Sequence, residues 1–295
     1  MHQSFECPVW YSVSSHTHLE LFPATRHALK GLELGIETAK AYGIHSMINC
    51  LWSDNGSDCS KFSALPSIMY FSYKAMGKEL EEIRRDFMAL TGMQFDDFVL
   101  LDIPRSVNGN YIDDSAAPTS YFLYNDLFSG QFDCYVKDEN IQAYEDASKI
   151  YKNLRNGEYA YIFETAYRLC EVMKIKCPLG VRVRQAYKEK NNKELKKICS
   201  DIKILLKRLD TYMEALRKQW FTDYKPNGLE VQEIRIGGLM QRLKGCRKVL
   251  IEYVKGKIGT IPELECELLD EVLASSVTTR MKYDGYVLVA TNNEL

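Results

Sequence analysis

The 295-residue chain has no apolar run approaching the roughly 20 residues that a membrane-spanning helix requires. Its first residues, MHQSFECPVW, lack the basic and apolar regions of a signal peptide, so the expected compartment is the cytoplasm. Charge of one sign is also missing: 38 basic residues against 40 acidic leave a net charge of -2, with no polybasic block. That balance offers no electrostatic footing for nucleic acid or for a membrane surface, and neither is expected as a partner. Histidine is scarce, and His2, His16, His18, His27 and His45 all fall in the first 45 residues. His16 and His18 have a His-x-His spacing, but no second ligand cluster follows. A polar loop is the preferred reading, and neither a metal nor a cofactor is expected. The nine cysteines include no C-x-x-C pair. Most read as small apolar residues in a reducing cell, with Cys50 in a buried strand and Cys170 on an apolar helix stripe.

What is present suits a folded protein. The hydrophobic share is 46%, and the length allows one large or two ordinary domains. Residues 4–10, SFECPVW, are a short strand candidate weakened by Pro8. Residues 23–42 read as a helix, with Pro23 in the first turn, Leu29, Leu32, Ile36 and Ala39 at helical spacing, and Gly43 at the stop. The run 44–52, IHSMINCLW, has strand length, and a second helix over 64–76 ends at Gly77. Strand, helix, strand, helix with short connections argues for parallel strands. Beyond residue 78 long helices dominate: 160–176, 202–220 and 236–256 each carry an apolar stripe, and antiparallel packing is expected. The turn-rich 102–120 reads as a long surface loop and 283–291 as a late strand.

The stretch 48–60, INCLWSDNGSDCS, runs from an apolar segment straight into turn chemistry. In parallel α/β architectures ligands gather at the carboxyl ends of strands. Trp52 stands at such an end with Asp54 and Asn55 behind it. An indole stacks on the apolar face of a sugar, and a carboxylate accepts from adjacent hydroxyls. The competing reading is a plain turn.

The sequence W-S-D-N-G-S-D-C followed by F-S-A-L-P within 44–77 resembles the end of the barrel in bacterial β-N-acetylhexosaminidases of glycoside hydrolase family twenty, in the subgroup with a helical C-terminal domain. The stretches 121-YFLYNDLFSGQFD-133, 180-GVRVRQAYK-188 and 218–243 extend the resemblance over nearly the whole chain. It implies α/β plus α: residues 1–78 as the last two βα units of a (β/α)8 TIM barrel, strands seven and eight, and 79–295 as a mainly helical domain with a short terminal strand. It also implies that Trp52 lines the sugar subsite, that Asp54 holds the outer hydroxyls, and that Trp10 is a weaker wall candidate. The surroundings of Trp10 depart from the glycine-rich pattern expected there.

Enzymes of this family use the substrate's acetamido group as nucleophile, assisted by an Asp-Glu pair. The resemblance places that pair on the fourth strand, upstream of anything in this chain. No catalytic residue is therefore assigned, and the chain is expected to be inactive alone, with an amino-sugar glycan and an upstream barrel half as partners. Glu81-Glu82, Asp96-Asp97 and Asp113-Asp114 read as surface or structural pairs. Tyr124 and Asn125 either approach the pocket or form a turn. In 230–239, Gly237-Gly238 permits close backbone approach, and Glu230, Glu233, Arg235 and Arg242 offer an ion-pair network; a homodimer is expected for the subgroup. The alternative is a non-catalytic helical interaction protein or gene remnant.

Overall fold

A computed structural model describes residues 7–15, 17, 21–52, 58–105 and 118–268. Strand β1 (Trp10–Ser14), helix α1 (Thr25–Ala41) and strand β2 (Ser46–Cys50) form a βαβ unit, and the strands pair in parallel from Trp10 opposite Ser46 to Ser14 opposite Cys50. The strand expected over 4–10 thus begins where that window ends. Pro8 has no N–H for a ladder, whereas WYSVS is rich in aromatic and β-branched residues.

Side chains alternate across a strand, so Tyr11 and Val13 share the face that meets α1. Helix α1 closes on that face through Gly35, where an added Cβ would lie 2.5 Å from Val13 Cγ1. Its buried stripe of Ala28, Leu32, Gly35, Ile36 and Ala39 matches the expected helical period. The opposite face carries Trp10, Ser12 and Ile48, all exposed. Cys50 is only half-buried for the same reason, contrary to the expectation of a buried strand.

Helix α2 (Leu65–Ala75) ends before Gly77, which has φ +79°. Helix α3 (Leu80–Thr91) opens on a reciprocal Glu79–Glu82 cap and closes on left-handed Gly92. Helix α4 (Phe95–Val99) puts Phe98 at the centre of an aromatic cluster, with the rings of Phe87 and Phe163 each 5.4 Å away.

The segment expected as a surface loop over 102–120 is structured at both ends. Asp102 and Arg105 are buried in a 3-10 turn, and α5 (Pro118–Tyr124) is buried along most of its length; 106–117 lie outside the described residues. Polar composition misled here because the Asp102 carboxylate accepts the backbone N–H of Arg26 at 2.8 Å in the first turn of α1 and pairs with its guanidinium. A first-turn N–H has no intrahelical acceptor, so a buried carboxylate is well placed there.

Helices α6 (Asp138–Asn153), α7 (Ala160–Lys188), α8 (Asn192–Asp223) and α9 (Leu229–Val254) pack successively against one another. The last three are antiparallel, as expected. Tyr161 near the start of α7 donates to Asp223 at the end of α8, while Arg182 late in α7 pairs with Glu194 and Asp201 early in α8. Arg217 late in α8 pairs with Glu233 early in α9, and Arg247 late in α9 reaches the Cys199 carbonyl. Helix α7 runs well past the expected stop at 176, through Pro178. The ring removes one helical hydrogen bond, but Leu179, Val183, Ala186 and Tyr187 continue the buried stripe and hold the helix together.

A short helix, α10 (Pro262–Glu265), closes the described chain, with Ile261 and Leu264 in the same core as Leu21, Leu32 and Phe98. That core is continuous across residue 78. Among the described residues no helix is long and apolar enough to cross a membrane. The late strand expected at 283–291 lies outside the described residues.

Candidate functional site

At the carboxyl end of the parallel pair, Ser15 N donates to the Cys50 carbonyl at 3.0 Å. The Ser15 hydroxyl also bonds the Asn49 side chain, which locks the two strand ends together. Leu51 and Trp52 follow β2, and Trp52 is 50% exposed, its indole available to a flat apolar partner. Asp54 and Asn55 lie outside the described residues.

Asp58, 8% exposed, leads into the 3-10 turn Lys61–Ala64. Ser60 caps that turn by accepting from Phe62 N, and Cys59 Sγ lies 3.1 Å from Ser63 Oγ. Burial pushes the Cys59 thiol up to about 12, so it stays protonated and unreactive. Three groups from elsewhere hold this segment. Gln232 of α9 donates to Asp58 Oδ1, Arg235 lies 3.9 Å from the same oxygen, and the Tyr224 hydroxyl donates to the Cys59 carbonyl and accepts from Lys61 N, both at 3.1 Å. Lys61 in turn donates through Nζ to the Trp52 carbonyl.

Tyr124 is half-buried at the end of α5. Burial, and then the Asp58 carboxylate, push its phenol upward, while Arg235 opposes them. Tyr124 therefore belongs to the Asp58 neighbourhood. Asn125 is committed elsewhere: it donates to Asp133 Oδ1 at 2.7 Å and accepts from Phe132 N at 3.2 Å, closing a buried turn. Trp10 opens β1 rather than ending it, so it lies at the far end of the pair from Trp52.

The adjacent carboxylates have structural partners. Glu81 and Asp96 share Arg84, while Glu82 takes Lys78 and the Glu79 N–H. Asp97 is raised by burial and then by Asp96. Asp113 and Asp114 lie outside the described residues. On α9, Glu230 accepts from Gly228 N, Glu233 takes Arg217, Arg235 faces Asp58, and Arg242 takes Asp126 and Glu263. A Cβ at Gly237 or Gly238 would meet open space, so neither supports a close contact among the described residues. Among the described residues no group of His, Cys, Asp and Glu is placed to hold a metal ion.

Asp58, Gln232 and Tyr224 escaped sequence reading as site residues. Each looks ordinary in its own segment, and only a 174-residue separation closed by a side-chain bond marks Asp58 with Gln232 as partners.

Residues 96–282, more than half of the chain, match the glycoside hydrolase 20C C-terminal domain. The class is thus that of hexosaminidase-type glycoside hydrolases. More narrowly, the chain belongs to the glycoside hydrolase 20C family through that domain. The matched range contains three of the four stretches that carry the resemblance, while Trp52 and its loop stand upstream of it. No curated protein matches the chain.

Proposed function

We propose that this chain is the C-terminal portion of a β-N-acetylhexosaminidase, with β1 and β2 as the seventh and eighth strands of a (β/α)8 barrel within residues 1–78 and the helical domain within 79–295. The observation that carries the reading is the parallel pair itself: one face is covered by α1, the other presents Trp10 and Ile48 uncovered, and Trp52 projects beyond its carboxyl end. Exposed strands of this kind call for a cover, and the first six strands of a barrel supply it. Trp52 stacks on the sugar, Asp54 and Asn55 hold its outer hydroxyls, and Tyr124 borders the site through its place beside Asp58.

The reaction is removal of terminal N-acetylglucosamine or N-acetylgalactosamine from a glycan with retention. The acetamido oxygen attacks the anomeric carbon, and the leaving oxygen takes a proton from a glutamic acid. This chain's part is to bind and orient the sugar; the Asp-Glu pair comes from the upstream strands, on whichever polypeptide carries them. A homodimer through the helical domain completes the proposal.

The test is turnover of a chromogenic N-acetylglucosaminide by the chain alone and after mixing with the upstream barrel half. Turnover only in the mixture, lost in Trp52→Ala, supports the proposal. Turnover by the chain alone that survives repurification overturns the assignment of the acid/base pair to other strands. Absence of both turnover and amino-sugar binding favours the non-catalytic interaction protein.

A further inference from the structure

We infer that Tyr224 and Gln232, on either side of the α8–α9 turn, are positioning residues for Trp52: the helical domain sets the pose of the sugar-stacking indole. The inference rests on the role proposed for Trp52, and its structural part stands on bonds among described residues.

Segment 58–61 is a bridge with two kinds of attachment. On one side Lys61 Nζ holds the Trp52 carbonyl, the last described group before the strand-end loop. On the other, its hold on the helical domain comes through one buried and one half-buried polar side chain. Gln232, 1% exposed, reaches Asp58, and the Tyr224 hydroxyl takes the Cys59 carbonyl and the Lys61 N–H together. One hydroxyl that both donates and accepts within three residues defines the height and direction of that backbone. Its desolvated surroundings make the loss of either bond costly.

The two anchors are themselves placed by the turn between α8 and α9. The rings of Trp220 and Tyr224 meet edge to face with centroids 5.0 Å apart, and Trp220 Nε1 donates to the Lys225 carbonyl at 2.9 Å. Gln232 follows within the first turn of α9. A shift of this hairpin therefore moves the Lys61 backbone, and the Lys61 side chain links that backbone to the main chain at Trp52. Stacking on a sugar requires the indole plane to be preset, since a mobile ring spends affinity on becoming ordered. The arrangement supplies a physical reason for a glycoside hydrolase to carry a helical domain behind its last strand.

The experiment uses the full chain. Tyr224→Phe removes the hydroxyl and keeps the ring on Trp220; Gln232→Met removes the donor at nearly constant volume; Asp58→Asn combined with Gln232→Glu reverses donor and acceptor and rebuilds the bond. Two quantities are measured: amide hydrogen exchange in the peptide covering 58–62, with 162–176 of α7 as internal control, and the Kd for N-acetylglucosamine by ligand-detected NMR. The expected result is exchange at least tenfold faster in 58–62 for the Phe and Met variants, an unchanged control peptide, a Kd raised about tenfold, and recovery of both in the reversed pair. Unchanged exchange overturns the tether. Faster exchange with unchanged sugar affinity overturns the positioning role. A wild-type chain that binds no amino sugar removes the proposed function and the positioning role with it, and the exchange result then decides the tether alone.

Discussion

Arg242 grips Asp126 with Nε at 2.6 Å and Nη2 at 3.1 Å, tying the turn after α5 to the middle of α9. The same carboxylate accepts the N–H groups of Phe128 and Ser129, both at 2.9 Å. Burial by itself pushes the Asp126 carboxyl up, but these bonds outweigh it and hold it at about 2.

The folded value lies below the ordinary 3.8, so the contribution to stability is complete above about pH 4 and is lost as pH falls through about 2. Urea denaturation of wild type and Asp126→Asn should differ by about 2 kcal/mol at pH 6, and the gap should close toward pH 2. A gap independent of pH would show that the bonds to the ionised form contribute nothing.

Lys176 follows the opposite sign. It is buried in α7 and donates to the carbonyls of Phe122 and Asn125 at 3.0 and 2.8 Å. Burial pulls its ammonium down to about 8, against the opposing pull of the Asp133 carboxylate. The unfolded chain therefore holds the proton more tightly, and this group adds stability as pH rises from about 8 to 10.5. Lys176→Met strands two carbonyls but also relieves the burial cost of the ammonium, so the two effects should offset and the net loss at pH 7 should stay below about 2 kcal/mol. The variant should also lack the part of the alkaline slope due to Lys176, read as the difference between two pH–stability profiles.

Gly228 carries φ +100°, and a Cβ there would sit 2.8 Å from Trp220 Cζ2. Gly228→Ala should lose about 2–3 kcal/mol in chemical denaturation, from left-handed strain plus displacement of the indole. Near-ultraviolet circular dichroism should report the altered Trp220 environment.

Thiol chemistry separates the cysteines. Cys7 and Cys266 are exposed, whereas Cys59, Cys170, Cys177, Cys199 and Cys246 are buried. Burial raises Cys177 and Cys246 to about 12, as it does Cys59. Brief iodoacetamide treatment at neutral pH followed by peptide mass spectrometry should label Cys7 and Cys266 first. Denaturation should be required before the five buried thiols react. Early labelling of Cys246 would contradict the packing of α9.

Much of the fold was legible because local rules and packing agree. The stripe of Leu32, Ile36 and Ala39 announces α1, Gly43 and Gly77 mark its stop and that of α2, and the apolar spacing in α8 matches its buried face. Reading failed where tertiary contacts outweigh composition. Pro178 did not end α7, and Asp102 and Arg105 were drawn inward despite a turn-rich sequence. Asn125 shows the same limit at the site: its type suits a sugar contact, yet its amide is occupied at both ends by the 125–133 turn.

The sequence by itself determined the helical periodicity, the parallel βα order and the family resemblance, because these depend on residue type and spacing along one segment. Only the tertiary structure decided that Trp10 and Trp52 stand at opposite ends of the strand pair, since that depends on strand bounds and register. It alone decided that Asp58 meets Gln232 and that Tyr224 holds Lys61, because those bonds span more than 160 residues and form only when α8 and α9 fold back beside the strand end.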